Sequence, residues 1–242
     1  MGSVAENPER PAYPTGVPIK FTPEGEAVRY PGNTTVCHIA PDSPLQPALQ
    51  LVHDTIATHP TLFRIFRLLP PESWHMTVFD GVREIECEPN MWPVGKGKLP
   101  VDECTAIFAP KLRALGTQLE REGLAPPYRM RARGFLDVEA VSGLGFAIYG
   151  ATEEEEKRVR RLRNMLADTL GFRAPNHYIY PFHVSVAYML RWAEGDDRQE
   201  MFRVLDDLAV RTEVEFELGA VEFNTFETML AYPRLFFLGE AE

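Results

Sequence analysis

The sequence predicts an α+β fold with two lobes that face each other across a groove. Short segments rich in Val, Phe and Tyr, typical of strands, alternate with segments whose apolar residues recur at helical spacing. The order of strand, helix and further strands, ending in a strand with a histidine, occurs twice along the 242 residues. Each lobe would therefore contribute one histidine strand to the groove.

The elements of the first lobe are separated by clear stop signals. Apolar residues recur at helical spacing from Leu45 to Ile56, which predicts a helix. Pro70 and Pro71 separate two strand candidates, because proline cannot donate to a ladder. Gly123 is a stop signal after the next helix. In chain order we predict a strand at 33–39, a helix at 44–58, strands at 64–69 and around 75–79, an irregular segment at 81–102 and a helix at 102–122.

The second lobe opens on two further strand candidates. Thr152, followed by Glu155 at the third position, is the pattern of a capping box and predicts the start of a helix. Gly171 marks its end. Glutamates in the first turn and arginines further along suit the helix dipole, so we interpret these charges as a solvated face. In chain order we predict strands at 128–138 and 144–150, a helix at 152–170, a strand around 183–187, a helix at 196–208 and strands at 212–218, 221–226 and 234–238.

The length suffices for a substantial hydrophobic core. The first eighteen residues are rich in proline and have few apolar anchors, so residues 1–18 are expected to form a flexible or extended arm. Residues 19–242 are expected to form a single two-lobed domain.

Composition limits the partners of the chain. A hydrophobic content of 45% and a net charge of −10 are those of an acidic globular protein. An extended duplex needs many cationic contacts, so this charge argues against duplex nucleic acid but not against a mononucleotide or a strand end. The apolar runs are short for a membrane span, and the N-terminus lacks the blocks of a signal peptide. Cys37, Cys87 and Cys104 are odd in number and lack metal-ligand spacing, so we expect a cytoplasmic protein without a metal site.

Two short segments of the sequence read almost alike. Trp74–Phe79 and Phe182–Tyr188 each begin with an aromatic residue, a histidine, an aliphatic residue, a hydroxyl residue and a valine. On a strand, residues i and i+2 point to the same face, so each segment directs an imidazole and a hydroxyl into one space. The two pairs are His75 with Thr77 and His183 with Ser185.

The pattern alone is weak, since other histidines fit it too. His53 precedes Thr55, but both lie on a predicted helix, where residues i and i+2 do not face each other. His59 is followed by proline at the end of that helix. His38 and His177 have no hydroxyl partner. A single histidine in a strand is more often structural, whereas two with matching flanks favour a shared site.

These residue types suit phosphodiester chemistry without a metal. One imidazole can accept the proton of an attacking water while the other protonates the leaving oxygen. The hydroxyls can donate to phosphoryl oxygens as charge develops. The same groups can catalyse ligation in reverse, and the sequence leaves open which histidine is the base.

The paired motifs resemble the two-histidine phosphoesterase superfamily, which includes RNA 2′-5′ ligase/cyclic phosphodiesterase enzymes and plant and fungal cyclic nucleotide phosphodiesterases. The stretches 20–25, 31–34 and 74–82 are similar to a branch usually described as a domain of unknown function. The resemblance covers about residues 18–240. It implies two pseudo-symmetric lobes with mainly antiparallel sheets flanking a central cleft, helices outside, and no metal or cofactor. It also implies that His75 and His183 are catalytic and that Thr77 and Ser185 bind phosphate.

The substrate implied by this resemblance is a small cyclic phosphodiester, a nucleotide or an RNA terminus. Arg129, Arg131 and Arg133 alternate on one strand face, which is either solvated or a phosphate-facing wall of the cleft. Tyr188 is a further residue able to contact substrate by stacking. Gly95-Lys96-Gly97-Lys98 lacks the spacing of a phosphate loop, and we interpret it as a mobile loop or lid. The irregular segment 81–102 departs from the family pattern and would shape the mouth of the cleft.

Two other classes of function stay open. A binding module could use the same cleft to recognise a nucleotide or a phosphorylated small molecule without turnover, although binding alone does not require two proton carriers. A hydrolase with a nucleophilic Ser or Cys is disfavoured because the chain has no Gly-x-Ser-x-Gly elbow. The sequence does not indicate an oligomeric state.

Overall fold

The structure, a computed structural model, describes residues 10–85, 91–93 and 98–240. Within these ranges nine strands form one sheet in which all neighbours are antiparallel. The strands are β1 (Gly32–His38), β2 (Phe66–Leu68), β3 (His75–Arg83), β4 (Tyr128–Phe135), β5 (Gly143–Gly150), β6 (His183–Met189), β7 (Val214–Leu218), β8 (Glu222–Phe226) and β9 (Arg234–Phe237). The helices are α1 (Gln46–Thr58), α2 (Leu62–Ile65), α3 (Val101–Gly116), α4 (Glu153–Leu170) and α5 (Gly195–Arg211). The fold is α+β, as predicted.

The sheet consists of two halves that meet at the histidine strands. Its order is β7-β4-β5-β6-β3-β1-β8-β9, and β2 pairs with β6 outside this order. Strands β3 and β6 are joined through one register pair, Met76 with Val184. Each half therefore contributes four strands to this order, its inner strand carries one of the two motifs, and β2 is a fifth strand on the β6 side.

The helices connect the two halves crosswise. Helix α1 lies between β1 and β3 in the chain, yet it packs against β6 as well as β2. Helix α4 lies between β5 and β6 in the chain, yet it packs against β3 as well as β4 and β5. Each crossover helix thus contacts the histidine strand of the other half.

The local signals in the sequence explain most element boundaries. The side chain of Thr152 accepts a hydrogen bond from the backbone N–H of Glu155 at 3.2 Å, so half of the predicted capping box forms. Gly171 ends α4 in the left-handed region, with φ of 85°. Any Cβ at Gly81 would lie 2.1 Å from the carbonyl oxygen of Asn33, so only glycine allows β3 to approach β1 there.

Several predicted boundaries differ from those in the structure. The strand predicted at 64–69 is one turn of helix followed by the shorter strand β2. Strand β3 continues through Arg83, which pairs with Gly32, so the irregular segment starts later than residue 81. Helix α3 ends at Gly116, which lies against the backbone of Gly239, and turns follow it.

The part of the N-terminal segment that the structure describes is packed on the body. The indole Nε1 of Trp192 donates to the carbonyl of Pro11 at 2.7 Å, and the guanidinium of Arg10 lies 3.8 Å from the centre of that ring. Val17 is buried. Residues 10–18 therefore continue the folded domain, while residues 1–9 of the predicted arm lie outside the described ranges.

Two apolar clusters stabilise the fold. The larger fills the space between the sheet and its helices. The smaller joins the segment before β1 to the loop after β8, and its buried members are Val17, Phe21, Tyr30, Leu69, Leu190, Phe226 and Met229. This smaller cluster forms one wall of the cavity described below. None of the helices in the described ranges is long and apolar enough to cross a lipid bilayer.

Candidate active site

A cavity of about 490 Å³ lies where the two halves of the sheet meet. All four motif side chains line it: His75 and Thr77 from β3, and His183 and Ser185 from β6. The structure therefore brings together the four residues that the sequence paired. The flanking Trp74 and Phe182 are both buried in the core, as expected from strand alternation.

The strand register places each histidine beside the hydroxyl residue of the other motif. Met76 pairs with Val184 in an antiparallel ladder, and both point into the core. The same register sets His75 opposite Ser185 and Thr77 opposite His183. Directly opposite residues have Cβ atoms roughly 4.5–5.5 Å apart, and diagonal neighbours are roughly 7–8 Å apart. The two imidazoles thus lie on a diagonal, with the hydroxyls at the other two corners.

Both strands carry a bulge one step after the hydroxyl residue. The neighbouring residues Thr35 and Val36 of β1 pair with Phe79 and Thr77 of β3, so Val78 is the extra residue on β3. Likewise Leu144 and Gly145 of β5 pair with Ala187 and Ser185 of β6, so Val186 is the extra residue on β6.

The matched bulges change which side chains face the cavity. Simple alternation would direct Phe79 and Ala187 into it, but both are buried on the other side. Instead Asp80 and Tyr188, one residue later, line the cavity. Each strand therefore presents a histidine, a hydroxyl residue and a third residue that differs between the halves, and β3 also contributes Arg83 to the lining.

Both imidazole rings are held through the same nitrogen. Nδ1 of His75 contacts the carbonyl oxygen of Ser73 at 2.7 Å, and Nδ1 of His183 contacts that of Pro181 at 2.8 Å. A carbonyl oxygen only accepts, so Nδ1 must carry the proton in both rings. In the neutral rings Nε2 therefore has the free lone pair, ready to accept a proton from a bound molecule.

The surroundings of both histidines favour the neutral form. Burial lowers the pKa of His75 to about 3, and repulsion from His38 and His183 acts in the same direction. The Ser73 carbonyl and, more weakly, Glu222 oppose this shift. Burial also lowers the pKa of His183, against the Pro181 carbonyl and the charge of Asp80, which raise it.

Aromatic and imidazole rings enclose His75. The ring of Tyr232 has its centre 4.1 Å from that of His75, and His38 on β1 meets it edge-on at 5.8 Å. His38 in turn contacts the buried carboxylate of Glu222 through Nδ1 at 2.9 Å. His75 is thus confined between a phenol and a second imidazole that is itself anchored.

A buried arginine lies behind the cavity on the β3 side. Arg163 of α4 is 1% exposed, donates to the carbonyl of Val78 at 2.7 Å and pairs with Asp80 at 3.2 Å. Its guanidinium also lies 3.9 Å from the ring centre of Tyr180. Burial raises the pKa of Tyr180, and hydrogen bonding with Thr77 is among the weaker effects that oppose this. Arg163 and Tyr180 therefore support Asp80 and Thr77. The sequence assigned the arginines of α4 to a solvated face, and for Arg163 that prediction was wrong, because its side chain is buried.

A lysine lines the cavity on the β6 side. The ammonium of Lys20 lies 5.3 Å from the ring centre of Tyr30 and 5.2 Å from that of Tyr188. It lies near enough to His183 for its charge to lower the pKa of that imidazole. Lys20 stands in the stretch that carried the family resemblance, but no pattern in the sequence marked it as a site residue.

The other predicted substrate contacts divide into one inside the cavity and three outside it. Tyr188 lines the cavity. Arg129, Arg131 and Arg133 do not, and the suggestion that they form its wall was wrong, because β5 and β6 lie between β4 and β3 in the sheet. Arg131 pairs with Glu215 across β4 and β7, and Arg129 stands opposite Glu217 in the same ladder. These arginines belong to a charged outer face, which is the other interpretation that the sequence allowed.

The segment after β3 contributes Met91 to the cavity wall. Of the predicted lid, residues 95–97 lie outside the described ranges, and the ammonium of Lys98 donates to the carbonyl of Glu84 at 2.7 Å. Among the described residues there is no group of three or more His, Cys, Asp or Glu able to hold a metal ion.

Comparison with known proteins agrees with the motifs. Residues 20–134, which include His75 and Thr77, match the model of a family described as "2H-phosphodiest: Domain of unknown function (DUF1868)". No curated protein matches the chain. Among solved structures, a conserved protein of unknown function, ATU0111 from Agrobacterium tumefaciens str. C58, is similar over 95% of this chain and 94% of that chain, with 26% identity and a TM-score of 0.81. The resemblance of this chain to the two-histidine phosphoesterases, in a branch described as a domain of unknown function, is therefore confirmed.

Proposed function

We propose that this protein is a metal-independent phosphodiesterase that opens a small cyclic phosphodiester of the 2′,3′-cyclic type, free or at an RNA end. The observation that carries the proposal is the pair of imidazoles on one diagonal, each with Nδ1 anchored to a carbonyl and Nε2 free to exchange protons. Binding alone would not require two such groups. The family match and the cavity lined by both motifs support it.

The arrangement suggests a balanced hydrolysis. Nε2 of one histidine takes a proton from water as the water oxygen bonds to phosphorus. Nε2–H of the other protonates the oxygen that leaves as the ring opens, so a cyclic diester and water give a monoester and a free hydroxyl. Thr77 and Ser185 donate to the non-bridging oxygens as their charge increases. In reverse the same groups would join a hydroxyl to a cyclic phosphate.

The surroundings suggest a role for each histidine. His75 has the imidazole confined by Tyr232 and His38, and its pKa near 3 keeps it neutral and able to accept a proton. Burial lowers the pKa of His183 too, but the Pro181 carbonyl and the charge of Asp80 raise it and so favour the protonated form. We therefore assign His75 as the base and His183 as the acid in the hydrolytic direction.

The size and charge of the molecule point to a small substrate. A cavity of about 490 Å³ falls in the range of small-molecule sites, roughly 300–1,000 Å³. The net charge of −10 disfavours long polyanions. We expect the protein to act in the cytoplasm, where the thiols of Cys37 and Cys104, which form no disulfide in the structure, would stay reduced.

Turnover of a small substrate panel with EDTA present tests this proposal. The panel contains the four nucleoside 2′,3′-cyclic phosphates, 2′-5′ dinucleotides and ADP-ribose 1″,2″-cyclic phosphate. We expect hydrolysis of at least one cyclic phosphate that EDTA does not reduce, since neither proton transfer needs a Lewis acid. Tight binding without turnover would instead support the binding module, and loss of activity in EDTA with recovery on adding a divalent ion would overturn the mechanism.

A further inference from the structure

We propose that Lys20 forms a second anion site in the cavity, which binds a phosphate of the substrate other than the one that reacts. The inference rests on the proposed function and specifies the substrate further. The substrate would be a cyclic phosphodiester that also carries a second phosphate, either a terminal monoester or the internucleotide diester of a short RNA end.

The backbone holds Lys20 in a defined position. Its N–H donates to the carbonyl of Gly16 at 2.8 Å, and its own carbonyl accepts from the N–H of Val28 at 2.9 Å. The next residue, Phe21, is fully buried and forms an isolated bridge with Ala27. The backbone from which the lysine projects is therefore held in place, so only the side chain has to be ordered when an anion binds.

The ammonium of Lys20 lacks an acidic partner among the described residues. It lies over the faces of Tyr30 and Tyr188, which attract a cation but offer no oxygen for its three N–H donors on those faces. Asp80, whose carboxylate lines the cavity, is already paired with Arg163. A lysine of this kind, in a cavity with apolar and aromatic walls, is suited to bind the oxygen of an anionic ligand.

The position of Lys20 separates it from the reacting centre. It contacts Tyr188, the third residue that β6 presents to the cavity, whereas the reacting phosphate would lie between His75, His183 and the two hydroxyls. Because of the bulge at Val186, Ser185 and Tyr188 stand opposite Gly145 and Gly143 of β5, which are two residues apart, or roughly 7 Å along a strand. Lys20 is thus placed to neutralise a second group of the same molecule.

The closing experiment compares ligands that differ by one phosphate. We would measure kcat/KM for uridine 2′,3′-cyclic phosphate, the same compound with a 5′-phosphate, and a uridine dinucleotide ending in a 2′,3′-cyclic phosphate. The wild-type protein should prefer the two compounds with a second phosphate by roughly tenfold to a hundredfold, as for one charged hydrogen bond. A higher kcat/KM for the 5′-phosphorylated compound would indicate a terminal monoester, and a higher kcat/KM for the dinucleotide would indicate an RNA end.

Three variants assign that preference. Lys20→Met should abolish the preference for a second phosphate, whatever its effect on the plain cyclic phosphate, and Lys20→Arg should retain the preference. Lys111→Met, an exposed lysine on α3 outside the cavity, is the matched control and should behave as wild type. An equal loss on all three substrates in Lys20→Met would overturn the second site and show that Lys20 serves the reacting phosphate.

A binding measurement keeps this test independent of turnover. Calorimetric titration with uridine 3′-monophosphate and uridine 3′,5′-bisphosphate needs no catalysis. We expect the bisphosphate to bind more tightly, by a factor that disappears in Lys20→Met. Absence of turnover with this binding difference intact would refute the proposed hydrolysis but not the anion site, whereas equal binding of both ligands would refute the site.

Discussion

Strands β3 and β6 are built alike, but their neighbours differ. Each presents a histidine and a hydroxyl residue, each anchors Nδ1 of its histidine to the carbonyl two residues earlier, and each is bulged at the following valine. The third side chain that each presents differs: Asp80 on β3 pairs with a buried arginine, whereas Tyr188 on β6 lies under Lys20.

The difference between the strands suggests how a symmetric frame supports an asymmetric reaction. The shared features fix the position and tautomer of both imidazoles, which acid and base catalysis need equally. The unshared neighbours then bias the charge: His38 and Tyr232 surround His75, and Asp80 favours the charged form of His183.

Removing either imidazole tests whether both halves take part in catalysis. His75→Ala and His183→Ala should each lower kcat by ~10²–10⁴-fold, the usual contribution of a general acid or base. The double variant should be little worse than either single variant, because the two groups act as a unit. Steady-state kinetics on the best cyclic phosphate measures this. His53→Ala is the matched control, since His53 fits the same short pattern but lies on α1 outside the cavity, and near-normal turnover by either cavity variant would show that the pair is not catalytic.

Removing the hydroxyls tests the two remaining corners of the site. Ser185→Ala and Thr77→Val should each lower kcat by ~10²–10³-fold, as for the loss of one oxyanion donor. KM should change little if the contacts strengthen in the transition state. Comparing kcat and KM for the two variants measures this. A rise in KM alone would mean that the hydroxyls only hold the bound substrate.

The pH dependence of kcat/KM tests the charge bias directly. Since both histidine pKa values are lowered, the proton on the acid is lost below pH 6.5, and the optimum should lie on the acidic side of that value. Because the two imidazoles repel each other, the apparent pKa of each limb of the profile includes their mutual interaction. An optimum of kcat/KM above pH 7 would contradict the lowered pKa values of the two histidines.

Asp80→Asn sharpens the comparison between the two halves. The negative charge of Asp80 raises the pKa of His183, so its removal should lower that pKa and move the alkaline limb to lower pH. The acidic limb should stay in place if it reports His75. The readout is the full pH profile, together with thermal unfolding, because the variant leaves Arg163 without its carboxylate. Movement of both limbs together would show that the two sites are not biased separately.

The smallest expected effect is on acid stability. The pKa of His75 falls from 6.5 in the unfolded chain to about 3 in the folded one, so between these values the unfolded chain binds more protons. The contribution of His75 to the free energy of unfolding is therefore fully present above about pH 6.5 and decreases as the pH drops towards 3. In His75→Gln the slope of the free energy of unfolding against pH over this window should decrease by up to ~1.4 kcal/mol per pH unit, one proton's worth. Urea unfolding at several pH values measures it, and an unchanged slope would mean that His75 is not shifted.

The sequence predicted the elements and the four motif residues because these depend on local signals. Alternation on β3 and β6, the Thr152 cap and the Gly171 stop all act within a few residues. The bulges at Val78 and Val186 could not be predicted, because an extra residue becomes visible only against the partner strand. For that reason Asp80 was missed.

Contacts between distant segments were equally hidden. Lys20 reaches the cavity because its turn packs on Tyr30 and Tyr188, and Arg163 reaches β3 from a helix that follows β5. The arginines of β4 illustrate the opposite error. Their alternation was predicted correctly, but whether that face meets the cleft or solvent depends on the sheet order.

The crossed helices have a consequence for folding. Helix α1 supports the histidine strand of the second half, and α4 supports that of the first, with Arg163 hydrogen-bonded to the carbonyl of Val78. Neither half can lose its structure without uncovering part of the other. We therefore expect heat or denaturant to unfold the described residues in one cooperative transition. If the chain is cut between β4 and β5, neither fragment should remain folded alone.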